Sequence, residues 1–261
     1  MRHFLGRFLL AFSLVFLSTP LSASRVSPMI LELEPTGRGS IARVDLVNDS
    51  QRDIPYEAQI MRGVISPEGQ LALYPADEEF VVFPAQTMVE SNSRQVFRVQ
   101  YVGESALNKS EVFYLAIRQI PVQFEPGVTQ VQLVVNYNVL INVVPNGSLP
   151  EPSIRSATMT TRLLPAPADA QDASGEDRSI ERRGIEVDVG NIGNRYFLAG
   201  LSDWSITGAT VDGAPFERVL RGDDASKLIG VGVVAPGANR LFFIPTEVEL
   251  DPSSLQVSIN P

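Results

Sequence analysis

The sequence predicts an all-β protein: two immunoglobulin-like β-sandwich domains joined by a Pro-rich hinge. Three observations carry this. Helical periodicity is scarce after the first two dozen residues, while short runs rich in β-branched and aromatic residues recur between turn signals. Seven such runs fall in about 120 residues, the density of an immunoglobulin-like sandwich. Three prolines and a glycine then crowd into "PNGSLPEP", Pro145 to Pro152, and the strand pattern resumes beyond them.

Taken in order, the chain opens with "MRHFLGRFLLAFSLVFLSTPLSAS". Arg2 and Arg7 precede an apolar run from Phe8 to Leu17, and small residues follow. This is the pattern of a secretory signal peptide, residues 1–23, with cleavage after Ala23 or Ser24. The run is too short for the ~20 residues of a comfortable membrane span. No later run is long enough either, so no membrane insertion of the mature chain is expected.

The predicted strands of the first domain, residues 24–145, are Val26–Leu33, Ile41–Val47, Tyr56–Met61, Phe80–Phe83, Val96–Val102, Val112–Ile120 and Val131–Val144. "NDS", Asn48 to Ser50, is a turn cluster, and "GRGS", Gly37 to Ser40, reads as a hairpin loop. Residues 146–152 form the hinge, and residues 153–261 the second sandwich. There Ile185, Val187 and Val189 alternate with polar residues. "RYFLAGLSDWSI", "LIGVGVV", "RLFFIP" and "LQVSI" read as further strands, with "VDG" as a hairpin turn. Residues 165–183 carry many Ala, Asp, Ser and Arg and read as an acidic surface loop.

The last strand of the first domain is unusual. Val131, Leu133, Val135, Tyr137, Val139, Ile141 and Val143 make one unbroken apolar face, while Asn136, Asn138 and Asn142 sit on the other. Fourteen extended residues would reach roughly 46 Å, far beyond a strand of ordinary length.

Composition narrows the function. The chain has no Cys, and its one His is His3, inside the predicted leader. Disulfide and thiol chemistry, Ser-His-Asp and Cys-His catalysis, and His or Cys metal sites are therefore excluded from the mature chain. No metal or other cofactor is expected. The formal net charge is −9, and removing the leader takes away two arginines and no acid. Such an acidic chain lacks the basic footprint that nucleic-acid binding requires. Scattered Asp and Glu on strand and loop sequence show no paired-acid motif, so the chain is not expected to be an enzyme.

Several stretches resemble the PapD-like periplasmic chaperones of the chaperone–usher pathway. "FVVFPAQTMVESNSRQVFRV", Phe80 to Val99, is similar to the family's strand, proline turn, loop and strand ending in Arg-hydrophobic. "SEVFYLAIRQIPV", Ser110 to Val122, is similar to its Glu-Ser-x-Phe-Trp-Leu-Asn-x-x-x-Ile-Pro-Pro signature, with Ala116 in place of Asn and Val122 in place of the second Pro. "NYNVLINVVP" sits where the family closes its first domain. "VGNIGNRYFLAGL" and "VVAPGANRLFFIP" resemble regions of its second domain.

The resemblance implies two sandwiches in a boomerang arrangement and a periplasmic location. It implies a non-enzymatic chaperone that folds, caps and delivers fimbrial (pilin) subunits to an outer-membrane usher. In that family the chaperone lends a strand to a subunit lacking its own last strand. Aligned through Pro145, the lent positions are Val131, Leu133 and Val135. The resemblance also implies a basic pair in the cleft between domains, an Arg on the first strand and a Lys near the end of the lent strand, to anchor the subunit's terminal carboxylate. Here the first strand offers Glu32 and Glu34, and the Lys position falls at or beside Leu140. Arg118 and Arg43 are the substitute candidates. The composition alone leaves open a secreted two-domain immunoglobulin-like structural or adhesive protein.

Overall fold

The computed structural model describes residues 24–121, 134–165 and 179–261. The first domain is built from β1 (Arg25–Ser27), β2 (Ile30–Leu33), β3 (Ile41–Asn48), β4 (Ile54–Ile65), β5 (Leu71–Pro75), β6 (Phe80–Phe83), β7 (Gln86–Val89), β8 (Ser93–Tyr101), β9 (Glu111–Gln119) and β10 (Asn136–Val143). One sheet has the order β1-β3-β8-β6. The other has the order β2-β10-β9-β4-β5, with β7 also on β4.

Alternation decides which side chains meet between the sheets. Val44, Leu46, Phe97 and Val99 come from the first sheet; Ile60, Phe113, Leu115, Ile117, Val139 and Ile141 come from the second. Phe80 packs edge-on against Phe113 and Tyr101, with ring centroids 4.9 and 5.1 Å apart. Asn48, fully buried at the end of β3, ties the following turn. Its Nδ2 donates to the carbonyls of Arg52, Val89 and Glu90, and its Oδ1 accepts from the Ser50 backbone and hydroxyl.

The structure revises several boundaries. The expected strand Val26–Leu33 is two strands: β1 pairs with β3 in one sheet, and β2 pairs with β10 in the other. Burying both ends of this segment requires it to change sheets around Pro28 and Met29. Gly37–Ser40 is a single 3-10 turn rather than a hairpin loop, entered through Gly37 at φ 74°. β5 and β7 are additional. Both are short strands that extend the sheet on β4, and their isolated sequences are too short for alternation to signal.

The second domain contains β11 (Pro152–Pro165), β12 (Ser179–Asn191), β13 (Phe197–Leu198), β14 (Asp203–Ala209), β15 (Pro215–Leu220), helix α1 (Gly222–Ile229), β16 (Val233–Val234), β17 (Asn239–Pro245) and β18 (Gln256–Asn260). β11-β12-β17 and β15-β14-β18 form its two sheets, and β13 pairs with β16. Ile185, Val187 and Val189 face Trp204, Ile206, Phe242 and Ile244 in the core. The indole N–H of Trp204 donates to the Ala199 carbonyl at 2.7 Å.

Two further expectations are corrected here. The stretch "LIGVGVV" is not one strand: Leu228 and Ile229 end α1, Gly230 and Gly232 take positive φ, and only Val233–Val234 pair. Asp223 and Asp224 in the first turn, Lys227 in the last and buried Ala225 explain the helix, since acids suit a helix N-terminus and bases its C-terminus. Within the expected loop 165–183, Pro165 pairs with Ser179, and Ser179–Arg183 belong to β12. The remainder of that loop, 166–178, lies outside the described residues. β17 covers β12 only from Gly184 to Gly190, so the far half of this long hairpin stands as two strands.

The hinge is pinned at its second half. Leu149 N–H donates to Asn194 Oδ1 at 2.8 Å, and the Leu149 carbonyl accepts from Asn194 and Arg195. Pro152 already opens β11. Gly193 packs directly on this backbone: a Cβ there would overlap the Leu149 carbonyl and lie 2.6 Å from Glu151 N. We expect Gly193→Ala to cost about 1–3 kcal/mol in stability, since neither contact is a flexible side chain. Urea denaturation checks this, and an unchanged midpoint would show that the hinge backbone yields freely.

Candidate functional site

The candidate site is the exposed start of β10 and the cleft on its other face. Along β10 the odd residues enter the core: Val139, Ile141 and Val143 are fully buried. Tyr137 is half-buried against the same core, and Val135 is half-buried. Val134 is 38 % exposed. One apolar face thus runs out of the sandwich as the strand is followed back toward Val135. Val131 and Leu133, expected to continue it, lie outside the described residues, so the described strand has eight residues of the fourteen expected.

The backbone of this stretch has one open side. β9 pairs with β10 from Asn136 to Val143, and β2 pairs with it in parallel only from Leu140 to Val143. Leu140 N–H donates to the Met29 carbonyl and Val144 N–H to the Leu33 carbonyl, so even-numbered backbone groups point toward β2. Those of Val134, Asn136 and Asn138 point the same way, past the start of β2. Among the described residues no strand covers them. An edge of unpaired N–H and C=O groups is a template for another chain.

The start of the strand is nevertheless held in place. Val135 N–H donates to Gln119 Oε1 at 3.4 Å, and the Tyr137 hydroxyl donates to the Ser24 carbonyl. Tyr56 donates from its hydroxyl to Ser24 Oγ at 2.9 Å.

The even face of β10 meets the second domain. Leu140 and Val144 join Val112 and Tyr114 against Tyr196 and Val233 in a buried interdomain cluster. Glu32 on β2 accepts from both Arg195 Nη2, at 2.7 Å, and the Tyr196 hydroxyl, at 3.0 Å. The Arg195 and Glu32 side chains are more than a third exposed, so that pair contributes at most about 1 kcal/mol. Full burial of each large apolar side chain contributes about 1.5–3 kcal/mol, so the apolar cluster dominates the contact between domains.

The two substitute anchors are not brought together. Arg118, near the end of β9, stands opposite Asn136 and within 3.9 Å of Glu57 on β4, on the side of β10 away from the open edge. Arg43 stands on the solvent side of the other sheet, opposite Arg98. Alternation puts it there because Val44 and Leu46 take the core, so it does not reach β10. In the cavity beside Leu140 the cation is Arg240 on β17, a position that no local sequence signal marks.

Burial is the largest cause raising the phenols of Tyr56, Tyr101, Tyr114, Tyr137 and Tyr196, with Tyr101 pushed up to about 12. From pH 10 to 12 the unfolded chain therefore loses phenol protons that the native chain keeps, and stability falls as pH rises. The urea midpoint is expected to be clearly lower at pH 11 than at pH 9. Equal midpoints would contradict this burial.

Among the described residues, no group of three or more His, Cys, Asp or Glu is placed to hold a metal ion. No helix among them is long and apolar enough to cross a membrane.

Residues 36–148 match the family profile described as pili and flagellar-assembly chaperone, PapD N-terminal domain. The solved class 5 fimbriae chaperone CfaA is similar in fold: TM-score 0.52, 12 % identity, covering 92 % of this chain and 99 % of that one. A structure from work on a chaperone–tip adhesin complex in CFA/I fimbriae biogenesis gives TM-score 0.51 and 11 % identity, with the same coverage. No curated protein matches the sequence.

Proposed function

We propose that the chain, whose residues 36–148 match the PapD N-terminal domain profile, is an assembly chaperone of that kind and caps pilin subunits by lending them the start of β10. The observation that carries the proposal is the open edge from Val134 to Asn138, beside an apolar face that leaves the chaperone's own core at Val135. A subunit with an incomplete sheet would pair its backbone along this edge. Val131, Leu133 and Val135 would fill its groove, as odd positions do within the chaperone's own core.

The domains are taken as 24–145 and 153–261 around the hinge 146–152. Residues 1–23 are taken as a leader cleaved on export to the periplasm, where an outer-membrane usher would accept the capped subunit. The reaction needs no nucleotide: release would follow when another strand replaces the lent one.

Co-expression with a pilin-like subunit encoded beside an usher gene tests this. A one-to-one complex is expected, with the subunit lost to aggregation when expressed alone. A subunit that folds without the chain and does not co-purify with it would overturn the proposal.

A further inference from the structure

The segment from Ser24 to Leu33 meets β10 at three levels. Its end, β2, pairs with Leu140 to Val143. Its middle gives the Met29 carbonyl to Leu140 N–H. Its start, Ser24, accepts from two tyrosines: Tyr137 donates to the Ser24 carbonyl, and Tyr56 donates to Ser24 Oγ at 2.9 Å.

The third contact ties the two sheets together. Ser24 leads into β1, a three-residue strand at the edge of the first sheet that pairs with β3. Tyr137 on β10 and Tyr56 on β4 both belong to the second sheet. Tyr56 is almost fully buried, and Tyr137 and Ser24 are half-buried, so the three close the end of the sandwich. Burial raises both phenols, and each keeps its proton to donate at pH 7.

This end of the sandwich is also the root of the open edge. From Asn136 to Val139 the β10 backbone pairs with β9 alone, because β2 begins only at Leu140. One residue further out, Val135 N–H reaches a side chain, Gln119 Oε1, at 3.4 Å. Gln119 stands opposite Tyr56 at the last pair between β9 and β4. The backbone pairing thus thins out where the Tyr137 hydroxyl reaches across to Ser24.

We propose that Tyr137 and Ser24 are positioning residues: their bond moors the root of β10, holding its open edge extended and in place while no other chain is paired to it. Tyr56 fixes Ser24 for this bond through the serine hydroxyl. A strand already ordered gives up less freedom when it pairs. Tyr137 uses the backbone carbonyl of residue 24, so the requirement is that this residue be present. Ala23 and Ser24 are both small enough to end a leader. Cleavage after Ser24 would remove the acceptor and leave two sequestered hydroxyls short of a partner, which is unfavourable. The mooring therefore assigns Ser24 to the mature chain, as its first residue. Its role in capture rests on strand lending, whereas the mooring itself is a property of the chain alone.

Three measurements test this. Intact-mass spectrometry of the exported chain should give a mature protein that begins at Ser24. Hydrogen exchange should then be compared between that chain, Tyr137→Phe, Ser24→Ala and a chain processed to begin at Arg25. The Val135 and Tyr137 amides are expected to exchange about two- to tenfold faster in Tyr137→Phe and in the shortened chain, the worth of one neutral hydrogen bond. Ile141, held by both β9 and β2, should not change. Ser24→Ala keeps the carbonyl and should lie nearer the unaltered chain, and Tyr74→Phe, at an exposed tyrosine on β5, should match it. Affinity for a co-expressed pilin subunit should fall by about the same factor in Tyr137→Phe. A mature chain that begins at Arg25 would overturn the proposal. So would unchanged exchange at Val135 and Tyr137, or equal acceleration at Ile141, which marks a loss of stability throughout the domain. Faster exchange with undiminished affinity would overturn the positioning role. If the unaltered chain binds no subunit, strand lending fails and the exchange comparison still decides the mooring. If Tyr137→Phe does not fold, the shortened chain supplies both the exchange and the affinity comparison.

Discussion

Replacing both Leu133 and Val135 with Asp is expected to leave the chain folded and to abolish recovery of a pilin subunit with it. On the proposed reading the apolar face would be shared between two cores. Val139, Ile141 and Val143 belong to the first domain's own, whereas Val135 is only half-buried and stands where that core ends. Each lent side chain would contribute about 1.5–3 kcal/mol on entering the subunit's groove. Aspartate forfeits that and brings a charge that loses its hydration. At 1.4 kcal/mol per factor of ten, the pair of changes should weaken the complex by more than about a thousandfold. Circular dichroism should show an intact fold, and Asn136→Ser, at an exposed position of the opposite parity, should keep the complex. Undiminished recovery with the Asp variants would show that this parity is not the one lent.

Phe113→Ala is expected to cost about 3–5 kcal/mol. Phe113 is fully buried, packs on Phe80 and Tyr101, stands opposite Ile141 on β10, and has the Arg62 guanidinium 4.6 Å from its ring centroid. Its removal leaves a cavity directly behind β10. The domains offer separate reporters, because the chain's one tryptophan, Trp204, is buried in the second. Far-UV circular dichroism should therefore show an early transition in urea, while Trp204 fluorescence changes near its usual midpoint. A loss below about 1 kcal/mol would mean that the first domain repacks around the gap.

How far the sequence could be read depended on the range of the signal. Alternation over β10 marked Val139, Ile141 and Val143 as core because burial on a strand has a period of two. The same reasoning could not find the sheet change at Pro28, which depends on where β3 and β10 lie in space. Helix α1 carried a signal that passed unread: Asp223 and Asp224 opening it, Lys227 near its end and Gly230 after it. In the sequence, the position of the expected cation falls at or beside Leu140. Nothing local, however, connects it to Arg240, a hundred residues on, which the packing of β17 brings to the same cavity. Arg43 failed as a candidate for the same reason, since its sheet and its side of that sheet are set by distant neighbours.

The short parallel contact between β2 and β10 has a mechanical consequence. β2 occupies the edge from Leu140 onward, and its approach is marked by the Met29 carbonyl receiving Leu140 N–H. A guest strand sliding along that edge toward Val143 would meet the chain at Met29 and go no further. The crossing segment would thus act as an end-stop: it would meter how much of the strand is shared and set the frame in which the guest's side chains fall.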